Sequence, residues 1–479
     1  MKRTNNEETL EELYGDFGVR DGLLFKYYGE AVDVVIPDTV TVIGERAFEF
    51  REDLRSVVIP DTVTVIEKDA FWRIENLVSV RFFKGLKEIG AYAFDGCTAL
   101  EEAILPEGLE KIGDRAFYGC KALKEAVIPD TVTDIGASVF SRCCRLERAE
   151  LLGAIKEIPP YTFYECVNLK EIIVSDGFTS IGEYAFYCCS ALQSFDIPAS
   201  VTKLGECAFC GCRSLKAVAL PKNITEIPYC CFSSDSALTS VEIPEGVKEI
   251  GSQAFYGCSG LRSLTWYEGL EAVSNGAFQR CTNLSDITVC GSSAAVDQKR
   301  PWTEISIFPE SVKVIGQDAF YSCHLIRDIR IPETVETVGN HAFYDCPNLR
   351  TVYLPRVIGT MINTLFSANA VPEFLIISKD HCSWTHKHLR NAILRGFAYQ
   401  WKLGLFNGDD EQWFKELISR DINWIFEGVS ECTEFVEFLI AVGDTELVDE
   451  IIELTEKTEN RAMLLAYKGR MMLENGEQK

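Results

Sequence analysis

The stretch ILPEGLEKIGDRAFYGCKAL, Ile104–Leu123, decides the fold, because it returns along the chain at a fixed interval. IPEGVKEIGSQAFYGCSGL at Ile243–Leu261 repeats the pattern, and IPDTVTVIGERAF at Ile36–Phe48 opens it. Phe117 belongs to a series at 48, 71, 94, 117, 140, 163, 186, 209, 232, 255 and 278, with a constant step of 23 between members. After a break the register resumes at Phe320, Phe343 and Phe366. A small residue, usually Ala, precedes each Phe. Leu54, Leu77, Leu100 and their equivalents follow it by six, with Ile326 standing in once. A period of this kind marks a repeat architecture, in which no unit buries its apolar side alone and stacked neighbours make one core.

One unit can be read physically. Leu54-x-x-Val57-x-Ile59 ends in period-2 alternation of β-branched residues, which predicts a short strand. Proline twelve after the Phe in most units (Pro60, Pro106, Pro129) removes a backbone donor and stops that strand. A turn then runs to an Ile-Gly pair (Ile43–Gly44, Ile89–Gly90, Ile112–Gly113), where Gly is expected to supply an unusual φ. The Ala-Phe-x-x-Cys segment is expected to carry the chain back as a tight helical or 3₁₀ turn, with Phe plugging the interior. Ten cysteines fall three residues after a Phe: 97, 120, 143, 166, 189, 212, 258, 281, 323 and 346. At a fixed repeat position these read as an inert buried ladder that bonds loop backbone between coils, in a reducing compartment.

These residues resemble the BspA-like leucine-rich-repeat family over about residues 22–378, and DGLLFKYYGEAVDVVIPDTVTVIG (Asp21–Gly44) resembles that family's N-terminal unit. The resemblance implies a right-handed leucine-rich-repeat solenoid with a parallel β-sheet on its concave side. It also implies protein binding or adhesion to host proteins, since family members are often exported. The fold class expected is thus an α/β repeat solenoid followed by a small all-α domain. The expected divisions are a leader and capping unit at 1–35, the solenoid at 36–378 and a helical domain at 379–479.

Two segments break the clock. CGSSAAVDQKRPW, Cys290–Trp302, lacks the apolar positions and leaves its stretch four residues short of two periods, as a loop or distorted coil would. Past 378 the spacing becomes helical: Phe435, Phe438, Leu439 and Val442 share one face, and Leu447, Ile451 and Leu454 another. Acidic residues dominate this end, as a solvated helix face or as a dock for a basic partner.

The formal charge of −25 argues against nucleic acid and anionic membrane, both of which call for clustered Lys and Arg. No stretch approaches the length of apolar sequence that a membrane-spanning helix needs, so membrane insertion is not expected. The N-terminus MKRTNNEETLEELYGDFG has no apolar segment behind its basic residues, so a cytoplasmic location is expected, with cell surface or secretion as the alternative.

No catalytic constellation appears, and neither a catalytic residue nor a cofactor is expected. Two clusters invite a metal. Cys207, Cys210 and Cys212 with Cys230 and Cys231 read instead as core packing, and His381, Cys382, His386 and His388 do not share a helix face. No metal site is expected.

What remains is a surface. The outward positions of each strand lie eight and ten after the Phe. They include Glu102, Glu125, Arg148, Glu150, Glu171, Asp196, Glu242, Asp286, Asp328, Arg330 and Tyr353. This face is acidic with apolar spots and suits a basic protein or peptide partner; oligomeric state is left open. A second stripe follows each Phe directly: Trp72, Tyr118, Tyr164, Tyr187, Tyr256, Tyr321 and Tyr344. Mutual stacking across coils is expected there, with exposed binding anchors as the alternative.

Overall fold

The computed structural model describes residues 12–175, 177–291, 307–355, 362–366, 372, 374–377, 448–449, 452–453 and 464–469. It forms two compact units, residues 1–247 with 253–261 and residues 248–252 with 262–479.

In the first unit, strands Glu12–Tyr14, Phe17–Arg20 and Leu23–Tyr27 pair antiparallel and cap the stack. The last of them then pairs in parallel with Val42–Ile43. Beyond the cap each coil carries two short strands. A first ladder runs through Asp33–Val35, Ser56–Val58, Ser79–Arg81 and Glu102–Ala103. It continues through Glu125–Ile128, Arg148–Leu151 and Glu171–Val174, and through Ser194–Phe195, Ala217–Val218 and Ser240–Glu242. A second ladder, at the Ile that precedes the Gly, joins Val42–Ile43, Val65–Ile66, Glu88–Ile89, Lys111–Ile112 and Asp134–Ile135. In both ladders each residue pairs with its equivalent one repeat away. The first ladder is the strand expected from the alternation. The second is not, because only two residues of each coil take part and two residues show no period.

The corner around the Phe corrects a second expectation. It makes i→i+3 bonds such as Ala47 N–H to the Gly44 carbonyl and Glu49 N–H to that of Arg46, yet no helix forms. Two residues per coil sit in the left-handed region: one two before the Phe (Tyr92 φ 58°, Arg115 54°, Tyr161 59°) and one two after it (Arg73 56°, Arg142 61°, Glu165 57°). A helix would aim every N–H along the coil. With one left-handed residue on each side of the Phe, four apart, every second N–H turns to the next coil instead: Arg115 to the Ala137 carbonyl, Phe117 to Val139, Gly119 to Ser141. The return is therefore a third hydrogen-bonded edge. The expected α/β repeat is a parallel-strand β-solenoid with little helix, represented before residue 378 by Ile362–Leu365.

The core is the Phe column. Rings from Phe48 through Phe255 stack on one another at 4.6–5.9 Å, near parallel, and Tyr27 caps the end at 5.3 Å from Phe48. Each ring is buried, a gain of about 1.5–3 kcal/mol per residue. The cysteine ladder is present as expected. Along it the Sγ–H of one coil donates to the carbonyl of the Phe one coil back, Cys97 to Phe71 at 3.3 Å and Cys166 to Phe140 at 3.1 Å, for example. Burial pushes these thiols well above their usual range.

In the second unit the ladders are Glu249–Ile250, Ala272–Val273, Val314–Ile315 and Thr337–Val338, with Ser263–Tyr267 paired to Asp286–Cys290. Asp328–Arg330, Thr351–Leu354 and the expected last strand Phe374–Ile377 form another sheet. The break is an insertion, not a shortened pair of units. Ala272–Val273 pairs directly with Val314–Ile315, and Phe278 stacks on Phe320 at 5.3 Å. The stretch from Phe278 to Phe320 is thus a single coil carrying an insertion nearly as long as a second one. Most of the expected irregular segment 290–302 lies outside the described residues. So does the helical domain expected at 379–479, apart from short helical pieces at 448–449, 452–453 and 464–469. Those pieces do not establish a domain.

Asp235 occupies a place in the thiol ladder of the first unit, three after Phe232, and is fully buried. Neither carboxyl oxygen has a hydrogen-bond partner. The nearby N–H groups of Gly211 and Cys212 are already spent on the carbonyls of Ser233 and Phe209. Burial drives this carboxyl well above the usual range. A folded-state pKa raised in this way contributes stability below about pH 4, which is lost as pH rises toward the folded value. Asp235→Cys should therefore stabilise by about 1–3 kcal/mol, with a wider gap from the parent at pH 8 than at pH 5. Denaturant midpoints at both pH values test this, and a gap independent of pH contradicts it.

The Ile-Gly glycines are not there for an unusual φ, since the left-handed positions hold Tyr, Arg and Glu instead. They are there for room: a Cβ on Gly113 would lie 2.4 Å from the Ala91 nitrogen, and on Gly136 2.4 Å from that of Asp114. Gly113→Ala should cost about 1–3 kcal/mol through backbone displacement. Gly119→Ala, in open space at φ 68°, should cost less. Chemical denaturation of the two variants ranks them, and the reverse order refutes the steric reading.

Candidate functional site

The first ladder displays alternate side chains outward because its inward partners, Val57, Val80, Ala126 and Ala149, are buried. Seven of the expected face residues lie on the first unit. Glu102, Glu125, Glu171, Asp196 and Glu242 are exposed, while Arg148 and Glu150 are half-buried. Parallel register brings four of them together. Glu125, Arg148 and Glu171 are direct lateral neighbours, and Glu150 follows Arg148 by two on the same strand face.

Arg148 holds this group as a hub. Its Nη1 donates to Glu125 at 2.6 Å, its Nε to Glu171 at 3.2 Å, and its Nη2 pairs with Glu150. The Glu125 hydrogen bond first, then the other carboxylates, raises the Arg148 pKa still further. Exposed pairs of this kind add little to stability. Their effect is to orient the side chains: one guanidinium is consumed by three carboxylates, so the cluster stays negative by two charges. Asp196 and Glu242 lie along the same ladder outside the cluster.

The second unit carries the other four. Asp286 is exposed on the strand paired with Ser263–Tyr267. Asp328 is half-buried beside Thr351, and Arg330 lies beside Tyr353. Arg330 is bound by Glu310, and the Tyr353 hydroxyl donates to Glu333 at 2.9 Å. Arg330, like Arg148, is therefore neutralised by a carboxylate.

The aromatic stripe stacks where neighbours permit. Tyr164 and Tyr187 lie 4.9 Å apart and 7° from parallel, and Tyr321 and Tyr344 lie 5.5 Å apart. Trp72 and Tyr118 have Asp or Ser in the adjoining coil and take arginine instead, Arg73 over Trp72 and Arg115 and Arg142 over Tyr118. Asp95, between them in the stripe, has its carboxyl pushed up to about 6 by burial, against Arg115 and Arg73. Stacked rings cover one another's faces, which leaves only edges for a partner. A second aromatic row two before the Phe was not read from the sequence. There Tyr161 and Tyr184 stack at 4.9 Å, and Cys207, Cys230 and Gln253 continue the row.

Of the clustered cysteines, Cys212 and Cys231 are fully buried, while Cys230 Sγ lies 3.3 Å from Gln253 Oε1. Burial raises Cys207 to about 11 and Cys210 to about 12. Among the described residues no group of three or more His, Cys, Asp or Glu is arranged to hold a metal ion. His381, Cys382, His386 and His388 lie outside the described residues. No helix among the described residues is long and apolar enough to cross a membrane.

The sequence reading also missed a groove of about 700 Å³ on the second ladder of the first unit. Glu45, Glu67, Glu88 and Asp134 line it with Gly90, Gly113 and Gly136, and Lys111 bridges Glu88 at 3.3 Å and Asp134 at 3.9 Å.

No curated protein matches the chain. Among solved structures, a leucine-rich repeat protein from Bacteroides ovatus is 26% identical, with a TM-score of 0.62 over 76% of this chain and 97% of that one. A leucine rich cell surface protein from Faecalibacterium prausnitzii is 26% identical with a TM-score of 0.36, covering 63% and 99%. The pneumococcal vaccine antigen PcpA is 20% identical with a TM-score of 0.39, covering 80% and 93%. The model of the BspA type leucine rich repeat region matches residues 23–147, 87–212, 140–236, 179–300 and 297–383, which together run unbroken from 23 to 383. With its regular coil, its Phe column and that match over most of its length, the chain belongs to the BspA-type leucine-rich-repeat family.

Proposed function

We propose that this protein is a non-catalytic scaffold that binds a basic protein or peptide through the outward face of its first ladder. One observation carries the reading. On the first unit Arg148 is bound by Glu125, Glu150 and Glu171, so the one arginine within the cluster leaves the strip negative. Glu102, Asp196 and Glu242 extend the same sign along the ladder. A face of one sign steers a partner of the other and fixes its register. The same charge disfavours nucleic acid. The repeat positions are given over to packing, which supports a role without catalysis. Buried thiols that act as S–H donors support an intracellular, reducing setting; export and adhesion form the competing reading.

Affinity capture from native cells, run in parallel with the full-length parent and the Glu125→Lys/Glu171→Lys double variant, tests the face. Partners should be lost at least tenfold by the variant, and retained nucleic acid should stay at background. An identical partner set for both proteins refutes the proposal. Fractionation of the same cells decides the setting: protein found only outside the cell overturns the intracellular assignment.

A further inference from the structure

Ten residues after each Phe, the first unit carries a second pattern beside the charges. Val35, Val58, Ile104 and Val127 stand there on successive coils, interrupted only by Arg81. Arg81 folds its guanidinium over the Phe83 ring, 4.9 Å from the centroid. Val35 is 68% exposed and Ile104 78%, while Val58 and Val127 are half-buried. Single exposed apolar residues call for no explanation. A row of them at one register is different, and here it has a companion. Two residues back on each strand, about 6–7 Å away, stand Asp33, Ser56, Ser79, Glu102 and Glu125. An apolar stripe and a polar, acid-bearing stripe thus cross the same five coils side by side.

The spacing selects the occupant. Parallel strands repeat about every 4.8 Å. An α-helix laid across them returns a side chain to one stripe once per turn, about 5.4 Å. An extended segment does so every second residue, about 6.7 Å. The mismatch per coil is about 0.6 Å for the helix and about 1.9 Å for the strand. Five coils span about 19 Å, the length of about 13 helical residues.

We infer that the strip from Asp33 to Val127 docks one amphipathic α-helix of a partner protein. Its apolar stripe covers Val35, Val58, Ile104 and Val127, and its adjoining Lys/Arg stripe meets Asp33, Glu102 and Glu125. This rests on the reading that the first-ladder face binds protein, and it adds the conformation and two-edged chemistry of the ligand. A second copy of this chain is the poorer occupant, because both partners would carry a net charge of −25.

The test is fluorescence anisotropy of the full chain with three labelled 16-residue peptides. One bears a Leu stripe beside a Lys stripe at helical spacing, one has the same composition scrambled, and one replaces Lys by Glu. The striped Lys peptide should bind at least tenfold more tightly than either control. Ile104→Glu and Glu125→Lys should each weaken it at least tenfold, and Glu157→Lys, in the strand Glu157–Ile158 that pairs with Ser180–Ile181 away from this face, should not. If striped and scrambled Lys peptides bind equally and both respond to Glu125→Lys, the helix inference falls while the acidic face stands. If no Lys peptide binds and the captured native partners ignore the charge-reversed face, both fall. Sedimentation of the protein alone completes the set: self-association abolished by Ile104→Glu makes the occupant a second copy and overturns the inference.

Discussion

The described coils depend on one backbone constraint: each must hydrogen-bond to the next at the Phe corner. The Phe71 N–H donates to the Ala93 carbonyl, Phe94 to Ala116 and Phe163 to Ala185, always to the residue just before the next Phe. A bond of about 2.9 Å leaves coils no freedom to drift apart. Once it is imposed, the ring of each Phe has one place to go, on top of its neighbour. The Cys thiol finds the previous Phe carbonyl within reach, and the Ile-Gly glycine must do without a side chain. The fixed period of the chain is the sequence shadow of that bond.

This explains why some elements were legible and others were not. Large side chains buried at a fixed position repeat strictly, so the Phe column, the Leu six residues later, the inward strand residues and the thiol ladder could all be read directly. Features that live in the backbone leave no such trace. The left-handed positions hold Gly at 96, 119, 211, 257 and 276 but Tyr, Arg, Glu, Ser and Cys elsewhere, because bonds to the next coil impose the conformation on whatever residue stands there. The chain therefore looks helical at a corner that is not helical. The second ladder, two residues wide, hides for the same reason.

The candidate face was legible for a different reason. Strand parity assigns residues eight and ten after the Phe outward, and the structure keeps that parity. Composition could not reveal pairing: that Arg148 is shared by Glu125, Glu150 and Glu171 follows only once register places three carboxylates around it. Counting charges overstated the basic component of the face, since Arg148 and Arg330 are both occupied by carboxylates. The break, expected as a loop or distorted coil, shows the same limit. The interval from Phe278 to Phe320 fits two deficient coils as well as one enlarged coil, and only direct pairing across it distinguishes them.

The buried thiols have a consequence that concerns opening, not stability. In a stacked array each coil contacts only its neighbours, so partial unfolding can begin locally and spread step by step. Along the first unit, Cys97, Cys120, Cys143, Cys166, Cys189 and Cys212 place one shielded sulfur in each successive coil. An alkylating reagent reaches such a sulfur only when its own coil comes apart. The order in which these cysteines become modified would trace, coil by coil, where the stack first opens and which way the opening travels.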